Sequence, residues 1–162
     1  MYLIDANVLI RADADFYPLD RIPQFWEWLV AQGSSGNVKM PAEIHEEIAN
    51  GTDDLAGWVK ETHVKEALLL DEEIDPIDVQ RVLELGYQGN DPLFTETDIQ
   101  KIGRDAFLIA YALTDSARII VTRETSASSK RRGNRKVPDA CNDCGILWTS
   151  DYEMYRLLDF RL

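Results

Sequence analysis

Four short stretches of this 162-residue chain set carboxylates beside apolar runs, where they are placed to do chemistry together. Tyr2-Leu3-Ile4 is apolar, too short for a helix core and followed by a polar break, so it reads as a buried strand with Asp5 at its carboxyl end. Ligands of open parallel sheets bind outside those strand ends. Asp also caps helices, and this stretch alone leaves both roles open for Asp5. In Ala42-Glu43-Ile44-His45-Glu46-Glu47-Ile48, Ile44 and Ile48 set the buried stripe of a helix. Glu46 then faces away, Glu43 lies well to the side, and Glu47 borders the stripe where it looks into a cleft. Ile102 to Leu113 reads as one helix whose apolar face is centred near Asp105. A buried carboxylate without a partner is costly, so Asp105 must be paired, metal-bound or turned toward a cavity. Arg118 to Thr122 is a β-branched central strand, and Thr122-Arg123-Glu124 repeats the polar strand end of Asp5. Oxygen-only donors of this kind suit Mg²⁺ or Mn²⁺. Such ions support water activation and in-line phosphodiester displacement without a covalent nucleophile.

The elements that must position these acids follow from periodicity and punctuation. Asp20 is expected to cap a helix carrying Ile22, Phe25, Trp26, Leu29 and Val30 on its core face and ending at Gly33. Val38-Lys39-Met40 reads as a second short strand after a Ser-Ser-Gly-Asn turn, and Pro41 opens the Glu47 helix. Asp53 or Asp54 caps a further helix through Leu55 and Trp58. Val64 to Leu70 fits a strand or a helix end equally well. Asp75-Pro76 starts a helix expected to end at Gly86, and Gly89 to Pro92 is loop. Trp148 to Leu158 reads as a strand end followed by a capped terminal helix. No repeat, low-complexity tract or linker divides the chain, whose 18.5 kDa suit one domain.

Charge and cysteine usage bound the partners. The net charge is −12, yet Arg123 to Lys136 holds six basic residues against the single acid Glu124, giving +5 and leaving −17 elsewhere. One basic patch on an acidic body is a candidate phosphate footprint. Lys130, Arg131, Arg132 and Arg135 are its expected phosphate-holding side chains. Cys141 and Cys144 form a lone CxxC, too few ligands for a structural zinc site, and are expected to be reduced structural thiols. No apolar run reaches the length of a membrane span and no basic-then-apolar leader opens the chain, so a cytoplasmic protein is expected.

The order of these pieces resembles the PIN-domain nucleases, which include the VapC-type toxins of toxin–antitoxin pairs. Leu3-Ile4-Asp5-Ala6-Asn7-Val8-Leu9 looks like the family's opening strand and acid. Ile44-His45-Glu46-Glu47-Ile48 resembles its helix acid, Asp105 to Ala112 its Asp before an Ala-rich helix, and Val121-Thr122-Arg123-Glu124 its strand end with Thr and a fourth acid. The resemblance implies an α/β fold, a three-layer α/β/α sandwich on a central parallel sheet, in a single PIN-like domain over residues 1–162. It implies that Asp5, Glu47, Asp105 and Glu124 form an acidic Mg²⁺ or Mn²⁺ site, supported by Asn7 and Thr122. The family's fourth acid is more often Asp, so Asp139 stands as an alternative or supplement to Glu124. The expected activity is a metal-dependent ribonuclease, with toxin as the biological role. RNA, an antitoxin protein and a second copy of the chain are the expected partners. A catalytically silent PIN-like binding module is the main alternative. An aspartyl-nucleophile phosphatase needs a second acid where Asn7 stands, and a receiver-like domain would accept phosphate on an Asp.

Overall fold

A computed structural model describes all residues 1–162. Strand β1 (Tyr2–Ile4) leads into helix α1 (Ala6–Arg11), prolonged by a π-helical turn over Ala12–Phe16, then α2 (Pro23–Ser34) and β2 (Val38–Lys39). Helices α3 (Ala42–Ala49), α4 (Asp54–Trp58), α5 (Thr62–Leu68), α6 (Pro76–Val82), α7 (Glu96–Ile102) and α8 (Asp105–Leu113) precede β3 (Ile119–Val121). After a short 3₁₀ turn at Arg132–Asn134 come α9 (Val137–Cys144), β4 (Leu147–Thr149) and α10 (Asp151–Leu157). The sheet is wholly parallel in the order β2-β1-β3-β4, flanked by ten helices, a three-layer α/β/α sandwich.

This strand order places the site. From β1 the chain moves outward to β2 on one side, and from β3 to β4 on the other, so the winding reverses between the two central strands. Such a reversal opens a crevice at the carboxyl ends of the flanking strands. Asp5 follows β1 and Thr122 follows β3, and Ile4 pairs with Val121 in register between them. A core of 36 buried residues underlies the sheet; Leu3, Ile4, Ile120 and Val121 are fully enclosed, which explains their continuous apolar runs. No helix is long and apolar enough to cross a membrane.

Several local expectations change in the tertiary context. The amino end of α2 is Ile22, without a side-chain cap, so Asp20 does not cap it. Pro23 at the first helical position removes one of the amide groups a cap would serve. Val64 to Leu68 is helical, and only Leu69 bridges Met40 at the sheet edge. The α6 segment continues past Gly86 as a π-helical turn to Gln88, ending at Gly89, whose φ is +53°. The expected single helix from Ile102 to Leu113 is two: Gly103 takes a φ of +54°, which ends α7 and restarts the chain as α8 at Asp105. Helix α7 has a reciprocal cap between Thr95 and Asp98, a signature present in the sequence that the periodicity reading passed over.

Gly33 is also not a terminator. It lies within α2, buried, and a Cβ there would meet Leu68 Cδ2 at 2.6 Å and the Ala67 carbonyl oxygen at 2.8 Å. The glycine lets α2 approach α5. Replacing an interior helical glycine with alanine ordinarily gains up to about 1 kcal/mol, whereas overpacking costs about 1–3 kcal/mol. Gly33→Ala is therefore expected to lower the melting temperature by several degrees, and an unchanged or higher value in a thermal melt would refute the close approach.

Candidate active site

Asp5 occupies the amino-terminal cap position of α1, but its side chain makes no capping hydrogen bond. Its Oδ2 instead accepts from Asn7 Nδ2 at 2.6 Å and from Thr122 Oγ1 at 2.8 Å. Asn7 Nδ2 also reaches Thr122 Oγ1 at 3.1 Å, while Asn7 Oδ1 accepts from the Arg123 amide at 3.0 Å. These bonds tie the ends of β1 and β3 together and fix the Asp5 carboxylate; no side-chain donor reaches Oδ1. Asp5 is only 5% exposed. Burial raises its pKa to about 6, against the hydrogen bond from Thr122 and with help from the charges of Glu124 and Glu47.

Asp105, the first helical residue of α8, is half-buried and has neither a hydrogen bond nor an ion pair. Burial drives its pKa to about 8, with further upward pressure from Asp5, Glu124 and Glu47 and only Lys136 opposing. Four acids from distant parts of the sequence thus feel one another at one sheet edge. Glu47 is exposed on α3, and its neighbour Glu46 pairs with Arg104 at 3.6 Å, linking α3 to the start of α8. Glu43, off to the side as expected, is half-buried with an Oε2 that has no partner.

Glu124 differs from the other three. Its Oε1 accepts from Lys136 Nζ at 3.0 Å and its Oε2 from the Val137 amide at 2.8 Å, so it caps α9 while facing Asp105. Asp139 has both carboxylate oxygens engaged by the loop after β3. Although its burial pushes the other way, bonds from Ser126 Oγ and the Ala127 amide hold its pKa below the ordinary value. It fastens the loop after β3 to α9. No group of three or more acidic, His or Cys side chains stands in a closed metal-holding cluster; the carboxylates converge without gripping a common point.

The basic loop divides. A wholly polar cleft of about 520 Å³ joins Asp105 and Glu124 to Lys130, Arg135, Lys136 and also Lys101, which the sequence reading did not single out. Arg132 reaches away to Asp91 at 3.7 Å and to the Leu93 carbonyl at 3.1 Å, and Arg131 folds back on the Ser128 carbonyl at 2.9 Å. These two are structural ties in this arrangement, contrary to the expectation that all four cations face a ligand. Gly133 explains the docking of the loop: its amide donates to Asp98 Oδ1 at 3.1 Å, and a Cβ would stand 2.8 Å from Asp98 Cα. A second groove, sharing Glu124 with this cleft, is lined by Asn7, Arg11, Arg123 and Glu124. Tyr87 is a further residue missed from sequence. Its hydroxyl is buried without a partner, and burial together with the charge of Asp105 raises its pKa well above the ordinary value. Cys141 and Cys144 are free thiols, both pushed up by burial, Cys144 to about 11, so they stay protonated.

Residues 2–162 match the family described as a domain of unknown function, DUF4411. The chain belongs to the DUF4411 family. Neither the curated proteins nor the solved structures contain a match to it. In this DUF4411 chain the carboxylates are therefore understood from their own geometry.

A folded-state pKa above the ordinary value of 3.8 means that ionising Asp105 opposes folding. Its contribution favours the fold at low pH and is lost as pH rises from about 4 through about 8. Asp105→Asn keeps the shape and removes the charge. Without divalent ions the variant is expected to melt no lower than wild type near pH 5 and progressively higher than wild type toward pH 9. A variant that melts many degrees lower at every pH would make Asp105 a structural partner.

Proposed function

We propose that this protein is a metal-dependent ribonuclease that hydrolyses RNA phosphodiester bonds. The observation that carries the reading is the set of carboxylates gathered at the switch point, in which Asp105 has no partner although partly buried among like charges. A structural acid would be paired; one left free beside other acids suits a cation. The oxygen donors suit Mg²⁺ or Mn²⁺ in kind, and Asp5, Glu47 and Asp105 would hold it by closing on the ion from their present open arrangement. A bound ion would supply water activation and charge stabilisation for in-line displacement at phosphorus. Thr122 and Asn7 orient Asp5. Lys136 holds Glu124 and, lining the cleft with Lys130 and Lys101, offers positive charge to the phosphates flanking the scissile bond. Hydrolysis adds one water across the phosphorus–oxygen bond.

The resemblance to VapC-type toxins supports a toxin role, with an antitoxin protein and a second copy of the chain as partners and the cytoplasm as the setting. A silent binding module is the second reading, favoured by the engagement of both Glu124 oxygens and by the open arrangement of the acids. Mn²⁺ separates the two. RNA cleavage is expected to require Mg²⁺ or Mn²⁺, to stop in chelator and to vanish in Asp105→Asn, and Mn²⁺ is expected to raise the melting temperature of wild type more than that of the variant. Growth arrest on expression should likewise disappear with Asp105→Asn. Full cleavage in chelator, or no thermal response to Mn²⁺, sinks the metal-dependent reading.

The division of the basic loop gives a separate expectation. Lys101→Gln and Lys130→Gln should each flatten the salt dependence of RNA binding by about 0.7 or less in log–log slope. Arg132→Gln should lower stability while leaving that slope in place. The reverse pattern in salt titrations would place the RNA on the other face of the loop.

A further inference from the structure

Two exposed aromatic rings lie beside Arg123, the residue between Thr122 and Glu124. Phe16, the last residue of the π-helical turn, is 41% exposed, and Tyr152, in the first turn of α10, is 49% exposed. Their rings stand edge to face with centroids 5.8 Å apart. The Arg123 guanidinium lies over both, 4.9 Å from the Phe16 centroid and 5.0 Å from that of Tyr152. Arg123 is held further by the Tyr152 hydroxyl at 3.3 Å and by Asp151 at 3.3 Å. Tyr17 stands 6.3 Å from Phe16 and Tyr155 6.3 Å from Tyr152, centroid to centroid, so the outer pair leans on aromatic residues packed in or against the core.

The position of this cluster is informative. The Arg123 amide donates to Asn7, which binds Asp5, and a groove of about 360 Å³ lined by Asn7, Arg11, Arg123 and Glu124 shares Arg123 with the rings and Glu124 with the carboxylates. Arg11 and Arg123 are largely neutralised here by Asp15 at 2.6 Å and Asp151. The groove end therefore presents little net charge beside two exposed rings that share the Arg123 guanidinium. Stacking needs such a surface, and every base has a matching face. An apolar protein segment would leave the partly exposed Arg123 guanidinium facing it, whereas a base presents a polar edge to that group.

We infer that Phe16, Arg123 and Tyr152 form a stacking platform for an unpaired nucleobase of the RNA strand that threads the carboxylate site. The inference rests on the ribonuclease reading and names its substrate as single-stranded where it leaves the site. The test is fluorescence anisotropy of the full chain in chelator, where no cleavage occurs. One probe is a single-stranded RNA of about 12 nucleotides, within the span of known single-strand sites; the other is an abasic ribose-phosphate strand of equal length. Tyr152→Leu and Phe16→Leu are each expected to weaken binding of the base-bearing strand roughly ten-fold, in the range of a lost base–aromatic stack. Tyr152→Phe should bind like wild type, and all variants should hold the abasic strand equally. Thermal melts establish that the variants are folded. Unchanged binding of the base-bearing strand by both leucine variants, or equal weakening on the abasic strand, overturns the platform while leaving the ribonuclease reading in place. Wild type that binds neither strand at low salt overturns both.

Discussion

The knot of hydrogen bonds among Asp5, Asn7 and Thr122 is the constraint on which the site depends. It joins the ends of two central strands that are more than a hundred residues apart in the chain and fixes one carboxylate in the reversal of the sheet. Each of β1 and β3 has only three residues, and the side-chain bonds reinforce the ladder where it continues past their ends through the Asp5 amide and the Val121 carbonyl at 2.9 Å. Once Asp5 is fixed, every other acid that approaches it raises the electrostatic cost of the compact state. Proteins tolerate such costs where function needs them. Asp105, left without a partner at the start of α8, carries the largest share.

Glu124 shows how that repulsion is partly relieved within the chain. Lys136 and the amide at the start of α9 satisfy both its oxygens, so the loop after β3 and the basic stretch close on each other. Asp139, two residues into the same helix, anchors the loop from the other side through Ser126 and Ala127. The two acids considered for one role thus have different ones. Glu124 sits between helix cap and site, and Asp139 keeps the loop in place.

The surroundings of the carboxylates are uneven. One cleft is polar and holds the unpaired Lys101 and Lys130 beside the Glu124-bound Lys136, and a second groove holds paired arginines, one of them lying over aromatic rings. An acidic protein can gather phosphate only where its cations are concentrated, which accounts for a chain of net charge −12 carrying one compact basic loop. The loop depends on Gly133, whose lack of a side chain lets it sit on Asp98 at the start of α7.

The layered α/β plan was legible in the sequence, because the short apolar runs at Tyr2–Ile4 and Ile119–Val121, each followed by a polar residue, read as buried strands, and the amphipathic stripe of α3 follows from Ile44 and Ile48. The sequence also marked Asp5 and Thr122 as strand-end groups, since a polar residue directly after a buried strand has nowhere else to go. The break at Gly103 was not legible: a glycine in an apolar helical pattern reads the same whether it continues the helix or turns to positive φ. That turn makes Asp105 a helix-start acid instead of one in the middle of a face. Tertiary structure alone decided which basic residues face the cleft, because Lys130 and Arg132 are equivalent in composition and differ only in what the folded loop brings near them. It also decided that Asp5 is no helix cap, that Glu124 is engaged and Asp105 free, and that Phe16 meets Tyr152 across the chain. Partners of that kind depend on contacts between distant segments, and local pattern carries no record of them.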